Sequence, residues 1–276
     1  MLFFVVSLYG QTQTDLNTQR LYKISQREQN IYRQLETNPN IYTSKDLEHK
    51  LGEIILAYSN YLTENPNDIS ALILCGKLLR SVGENDRAFK LFLRADALDP
   101  KIAVVKQQIG NYLVETGNGK AALTFYLNAI KLEPEVPEYN YSLGETLYLF
   151  KDEFTQEGLF TQDSLDRQML KAFKMAAQLD SENFDIQMRL GEAYYDLSTP
   201  DWKAALLHWE RLRKETPDYK ELRCQIIDLH RARILAKLGR NEEAEKLVGK
   251  VTQPGLQASK KQVLEEMDPH NSEKAY

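Results

Sequence analysis

Three prolines, Pro66, Pro100 and Pro134, stand 34 residues apart, and the glycines Gly76, Gly110 and Gly144 keep the same step. Alanines repeat it (Ala88 and Ala122, Ala95 and Ala129), as do the aromatics Phe92 and Tyr126 and the leucines Leu98 and Leu132. So many kinds of position in one register mean an internal repeat, which constrains the fold more than any other feature of the chain. A unit of about 34 residues buries too little apolar surface to fold alone, so such units must stack into a continuous core.

Each unit reads as helix, turn, helix. Ser81-Val-Gly-Glu-Asn85, Thr116-Gly-Asn-Gly119 and Leu238-Gly-Arg-Asn241 are turn segments between amphipathic runs, with glycine suited to ending a helix. Asp99-Pro100, Glu133-Pro134 and Thr216-Pro217 close second helices and start the next unit. Glycine inside a helix costs about 1 kcal/mol relative to alanine, so its recurrence implies close approach of the paired helix. Ala88, Ala122, Ala205 and Ala244 are the expected facing small residues, with Phe92, Tyr126, Phe173 and Trp209 filling the gap one turn later.

The register continues with insertions. Gly144 to Gly191 spans one period plus 13 residues, and the extra residues fall near 152–164, before a second helix around Ser164–Asp180. After Gly191 come Ala205, Trp209 and Pro217, with about two residues added at the Ser198–Trp202 turn. A weaker fifth unit has Ala232 in place of the glycine, followed by Ala244, Val248 and Val251. Upstream, Ile55–Tyr58 belongs to the second helix of an irregular unit. Its first helix lies within Leu16–Leu35, where Leu21, Ile24, Ile31 and Leu35 mark one face.

This pattern resembles the tetratricopeptide repeat family, in its small residue, aromatic, alanine and closing proline at a 34-residue period. Ile69–Ile102 and Ala103–Val136 match without gaps; Leu72 stands where the family often has tryptophan, and Lys106 departs there. The resemblance implies an all-α, right-handed α-α solenoid. The expected organisation is a possible signal peptide at 1–10, irregular helices at 11–66, a solenoid of about five units at 67–251, and a capping helix with a tail at 252–276. In the cap, Leu256–Met267, the residues Val263, Leu264 and Met267 are expected to face inward, and Asp268–Tyr276 to be a disordered tail.

The uncharged start, Met1 to Gly10, is too short to cross a membrane but resembles the apolar part of a secretory signal, with a plausible cut between Gly10 and Gln11. An exported bacterial protein of the periplasm or cell envelope follows if that signal is real, and a cytoplasmic one otherwise; no membrane span is expected in the mature chain. Cys75 occupies the core place held by Ile109, Leu143 and Leu190, and Cys224 lies four units away. That is too far for the ~7 Å a disulfide allows, so both are expected as free thiols.

A net charge of −5 gives no general attraction to nucleic acid or anionic membrane. His49, His208, His230 and His270 are scattered outside any metal-binding motif, and no strand precedes a glycine-rich phosphate loop. The expectation is therefore no metal, no cofactor and no catalysis.

In the resembling family, first helices line a concave groove that grips a peptide or helix. Carried over by register, the groove rows are Ile73, Lys77 and Arg80, then Gln107, Asn111 and Val114, then Tyr141, Glu145 and Tyr148, then Met188, Glu192 and Tyr195. A less certain fifth row is Leu229, Arg233 and Ala236. The groove runs from basic through amide to acidic and aromatic. Asn111 offers both donor and acceptor to an extended backbone, and the tyrosines are amphipathic anchors. Lys77 and Asn111 match part of a constellation that clamps a C-terminal carboxylate in some family members, whereas Ile73 and Glu145 do not. The insertion, with Phe154, Leu159 and Phe160 expected at the surface, is a second candidate contact. The expected function is a protein-interaction scaffold, with a glycan- or RNA-binding solenoid and an enzyme with an unrecognised site as alternatives.

Overall fold

The computed structural model describes residues 2–216 and 221–267, with side chains from Leu16 onward. Pro217, His270 and the expected tail 268–276 lie outside the described residues. The chain divides into two compact units, Met1–Glu133 and Pro134–Tyr276. Every regular element among the described residues is helical.

The first unit holds three antiparallel pairs: α1 (Leu2–Thr37) with α2 (Ser44–Glu64), α3 (Ile69–Ser81) with α4 (Asn85–Leu98), and α5 (Ala103–Glu115) with α6 (Gly119–Leu132). The starts of α3 and α5, and of α4 and α6, fall 34 residues apart, as the sequence register requires. Helix α1 is longer than expected, and the peptide bond read as a cleavage point lies within it. Leu21 and Ile31 are buried against α2, with Ile24 and Leu35 packed beside them. Thr43 and Asp46 form a reciprocal cap on α2, and the Asp68 carboxylate accepts the Ala71 N–H at 3.0 Å to start α3. Gly83 and Gly117 close the turns at φ of 82° and 77°. At each the chain folds back through one bond, from Glu84 N to Leu79 O (2.8 Å) and from Asn118 N to Leu113 O (2.7 Å). Lys106, in the family's tryptophan place, is buried against Asp96 at 2.6 Å.

The second unit contains α7 (Pro137–Leu149), α8 (Lys151–Gln156), α9 (Gln162–Leu179), α10 (Phe184–Ala193), α11 (Trp202–Glu215), α12 (Leu222–Lys237), α13 (Asn241–Lys250) and α14 (Gln257–Met267). Helix α7 pairs with α9, α10 with α11, α12 with α13, and α14 covers α12. The insertion forms α8, which rests on α9. Phe154, expected at the surface, is fully buried there between Phe150 and Phe160 at centroid distances of 5.9 and 6.0 Å. Helix α8 is polar except for Phe154, so resting on α9 turns that one ring inward, and that is the physical reason for the correction. Only Leu159 of the insertion's apolar trio is exposed. On α14, Val263 is buried but Leu264 is 44% exposed, because one helical step turns it about 100° away from its neighbour.

The repeated glycines have a different partner from the one expected. A Cβ on Gly76 would lie 2.8 Å from Phe92 Cε1, one on Gly110 2.8 Å from Tyr126 Cε1, and one on Gly144 2.8 Å from Phe173 Cε1. On Gly191 it would meet the Trp209 indole closer still. The ring therefore lies directly on the glycine backbone, and the buried alanines are not what the glycine admits. Full burial of an aromatic side chain stabilises by roughly 1.5–3 kcal/mol, which exceeds the ~1 kcal/mol helix cost of glycine. The fifth pair obeys the same rule in reverse: where alanine replaces glycine at Ala232, the ring's register place holds the smaller Val248, and both are buried.

Cys75 and Cys224 are buried thiols outside any disulfide, and Cys224 donates to the Thr216 carbonyl oxygen at 2.8 Å. In the second unit the Trp209 indole stacks on His230 at 4.2 Å and 6° between planes, while the His208 Nε2 lies 2.8 Å from the Gln187 carbonyl oxygen.

Two outcomes follow. Gly110→Ala should lower stability by about 1–3 kcal/mol through overpacking, despite better helix propensity; urea unfolding should then show Gly110→Ala/Tyr126→Val costing less than the sum of the single changes. Burial holds both His208 and His230 down at about 4, against 6.5 when unfolded. Their neutral forms stabilise the fold fully above pH 6.5, and this is lost as pH falls toward 4, by up to about 3 kcal/mol per histidine. The chain's two tryptophans, Trp202 and Trp209, both lie in the second unit, so their fluorescence in urea titrations from pH 7 to pH 4 reports this directly.

Candidate functional site: the faces of the first helices

The residue that follows each ring-bearing glycine emerges beside the ring on the face of the first helix. This places Lys77, Asn111, Glu145 and Glu192 in one structural class, each treated differently by the ring next to it.

In the first unit, α3 presents half-buried Ile73 and Arg80 and exposed Lys77, and α5 presents half-buried Gln107, Asn111 and Val114. Arg80 is already engaged, donating to both Glu115 carboxylate oxygens at 2.6 and 3.3 Å. Lys77 has no ion-pair partner among the described residues. Asn111 differs from expectation. Tyr126, lying on Gly110, reaches past it and donates its hydroxyl to Asn111 Oδ1 at 2.7 Å. The acceptor meant for a bound backbone is thus occupied from within, and the amide N–H group is what Asn111 offers outward. Phe92 has no hydroxyl, so the neighbouring pair leaves Lys77 unengaged.

In the second unit the face centres on Arg189, which the register did not single out because it sits one step from Met188. Its Nε pairs with Glu145, and its Nη1 donates to Asp196 Oδ2 at 2.8 Å. The guanidinium also lies 4.7 Å from the Tyr148 ring centroid and 4.3 Å from that of Phe173. Tyr141 packs edge-on against Phe173 at 5.9 Å. Glu145 is therefore half of an internal network, while Tyr141 and Tyr148 are half-buried, in contact with Phe173 and Arg189 respectively.

Tyr195 is more deeply committed. Its hydroxyl sits 3.4 Å from His230 Nδ1, and its ring contacts Trp202 and His230 at 5.6 and 6.0 Å, so it is an element of packing. In the fifth row Leu229 is buried and unavailable to a partner, and Arg233 is held by Glu266 of α14 at 3.0 Å. Met188 and Ala236 are half-buried.

Glu192 stands apart. Its carboxylate has no hydrogen-bond or ion-pair partner among the described residues, although the residue is half-buried. Burial raises its carboxyl above the usual value; Asp196 and Glu145 add to the rise, and Arg189 and Arg233 oppose it. Among the described residues no group of three or more His, Cys, Asp or Glu is placed to hold a metal ion. No helix among them is long and apolar enough to cross a membrane.

No model of a known protein family matches the chain. It is similar to the DnaJ homolog subfamily C member 7 homolog of Schizosaccharomyces pombe, with 29% identity over 131 residues, which is 41% of this chain and 28% of that protein's length. Among solved structures it resembles YrrB, described as a TPR protein with an unusual peptide-binding site, with a TM-score of 0.55 and 20% identity over 70% of this chain and 90% of that one. PilW, a type IV pilus biogenesis factor, superposes with a TM-score of 0.56 at 13% identity, covering 79% of this chain and 92% of that chain. The 41-to-end chain of MamA from Desulfovibrio magneticus RS-1 gives a TM-score of 0.52 at 19% identity, over 71% and 97%. The fold is a tetratricopeptide-repeat solenoid.

Because its carboxyl is raised in the folded state, Glu192 favours the fold at acid pH, and that contribution disappears as pH rises through the folded value. At pH 7 its ionised form is a net cost. Thermal melts should therefore show Glu192→Gln more stable than the parent at pH 7, with the gap closing toward pH 4.

Proposed function

We propose that this tetratricopeptide-repeat chain is a non-catalytic scaffold that holds a peptide segment or domain of another protein on the faces of its first helices. The observation carrying the reading is the pair Tyr141 and Tyr148. Both are half-buried, fixed by Phe173 and Arg189, and set beside the polar row that follows the glycines. Tyrosines fixed before binding lose little conformational freedom on contact, and each combines apolar area with a hydroxyl. The description of YrrB as a peptide-binding protein supports the reading by likeness of fold.

The test separates this face from the opposite side of the helix pairs. The full chain, immobilised, should capture the same proteins from a lysate as a Leu127→Ala variant, whose changed side chain is 55% exposed on α6. Tyr141→Ala/Tyr148→Ala should lose that captured set by roughly tenfold, as expected when two anchor contacts go. Tyr195 is left intact because it supports the fold. Equal capture by all three folded proteins, checked by circular dichroism, contradicts the assignment of the face.

A further inference from the structure

We infer that the first-helix face of the second unit receives a lysine or arginine side chain of the bound segment, with Glu192 as its counter-charge. The inference rests on the scaffold reading and specifies the chemistry of its ligand.

The argument is one of charges already committed. Glu145 and Asp196 act on Glu192 at this face as like charges, and the cations that act on it are Arg189 and Arg233. Arg189 is fixed between Glu145 and Asp196 and between two rings; its Nη2 has no hydrogen-bond partner, and none of its nitrogens bonds Glu192. Arg233 is paired with Glu266. Glu192 is left half-buried, without a partner, and beside two like charges. A half-buried carboxylate with no direct ion pair is stabilised less than a paired one, and complementary charge on a partner is the direct way to supply that pair.

The surroundings suit a long basic side chain. Met188 precedes Glu192 by one helical turn on α10, so it shares its face and offers apolar surface to an aliphatic stem. The field of these acids reaches the neighbouring aromatic surface. The Tyr141 hydroxyl is raised first by burial, then by Glu145, with Arg189 opposing and Glu192 and Asp185 adding further to the rise. A cation near that ring is also favoured by the ring itself. The first unit gives the contrast: its corresponding residue is the unpaired cation Lys77, so a basic side chain has no reason to settle there.

The experiment uses the full chain and fluorescein-labelled, N-acetylated and C-amidated decapeptide pools, randomised except for a central Lys, Arg, Gln or Glu. Anisotropy should show the Lys- and Arg-centred pools binding roughly tenfold tighter than the Gln- and Glu-centred pools. Glu192→Gln should abolish that preference while keeping the fold, and Lys131→Gln, at an exposed lysine of α6 outside the first-helix faces, should leave it intact. Glu192→Lys should turn the preference toward the Glu-centred pool. Binding without charge preference, or a preference that survives Glu192→Gln, overturns the inference and leaves the scaffold reading standing. No binding by any pool overturns it too, and the scaffold reading falls with it only if the tyrosine variant also captures its lysate partners unchanged.

Discussion

An aromatic ring lying on a glycine backbone sets the geometry on which the rest of this structure depends. In four pairs the ring of the second helix occupies the volume a Cβ would need on the first. The contact fixes how near the two helices stand and which side chain emerges next to it. It also explains the exception, since Ala232 is tolerated where the opposing place holds Val248. Small residue and large ring are one interaction written at two positions, and neither can change alone without strain.

That interaction reaches the surface through the residue after each glycine. Where the ring is tyrosine, its hydroxyl takes the acceptor of Asn111. Where it is phenylalanine it leaves Lys77 unengaged in one pair, and in another it forms one wall of the slot that holds Arg189. The core thus determines which polar groups a partner can use. The two units present different chemistry for this reason: a free ammonium at Lys77 in one, and in the other an acid, Glu192, left over after its neighbours have paired. Leaving Glu192 unpaired costs stability, and such a cost is expected where a surface is kept ready for a ligand.

The fold was legible in the sequence because repetition ties distant positions to one register. The 34-residue step between the starts of α3 and α5 and of α4 and α6, and the burial of Cys75, follow from that register and from local turn chemistry. The failures have a common cause. Register assigns a residue to a face but not to a partner on another helix, so the Arg189 network and the Tyr126–Asn111 bond were invisible. Insertions lie outside the register altogether, and nothing in the segment of Phe154 shows that α8, which carries it, rests on α9 and buries the ring. Leu264 failed on helical phase: an apolar run of two adjacent residues cannot face the same way. Of the candidate site, the rows were readable, but which members are already occupied was not.

The central claim is that first-helix faces, shaped by rings seated on glycines, are where this protein binds. Backbone hydrogen exchange of the full chain, measured with and without a saturating bound segment, tests it most directly. The account predicts slower exchange in α7 and α10 on binding, with α4, α6 and α9 unchanged. Slowing confined to α4, α6 or α9, with α7 and α10 unaffected, would place the binding surface on the second helices and contradict it.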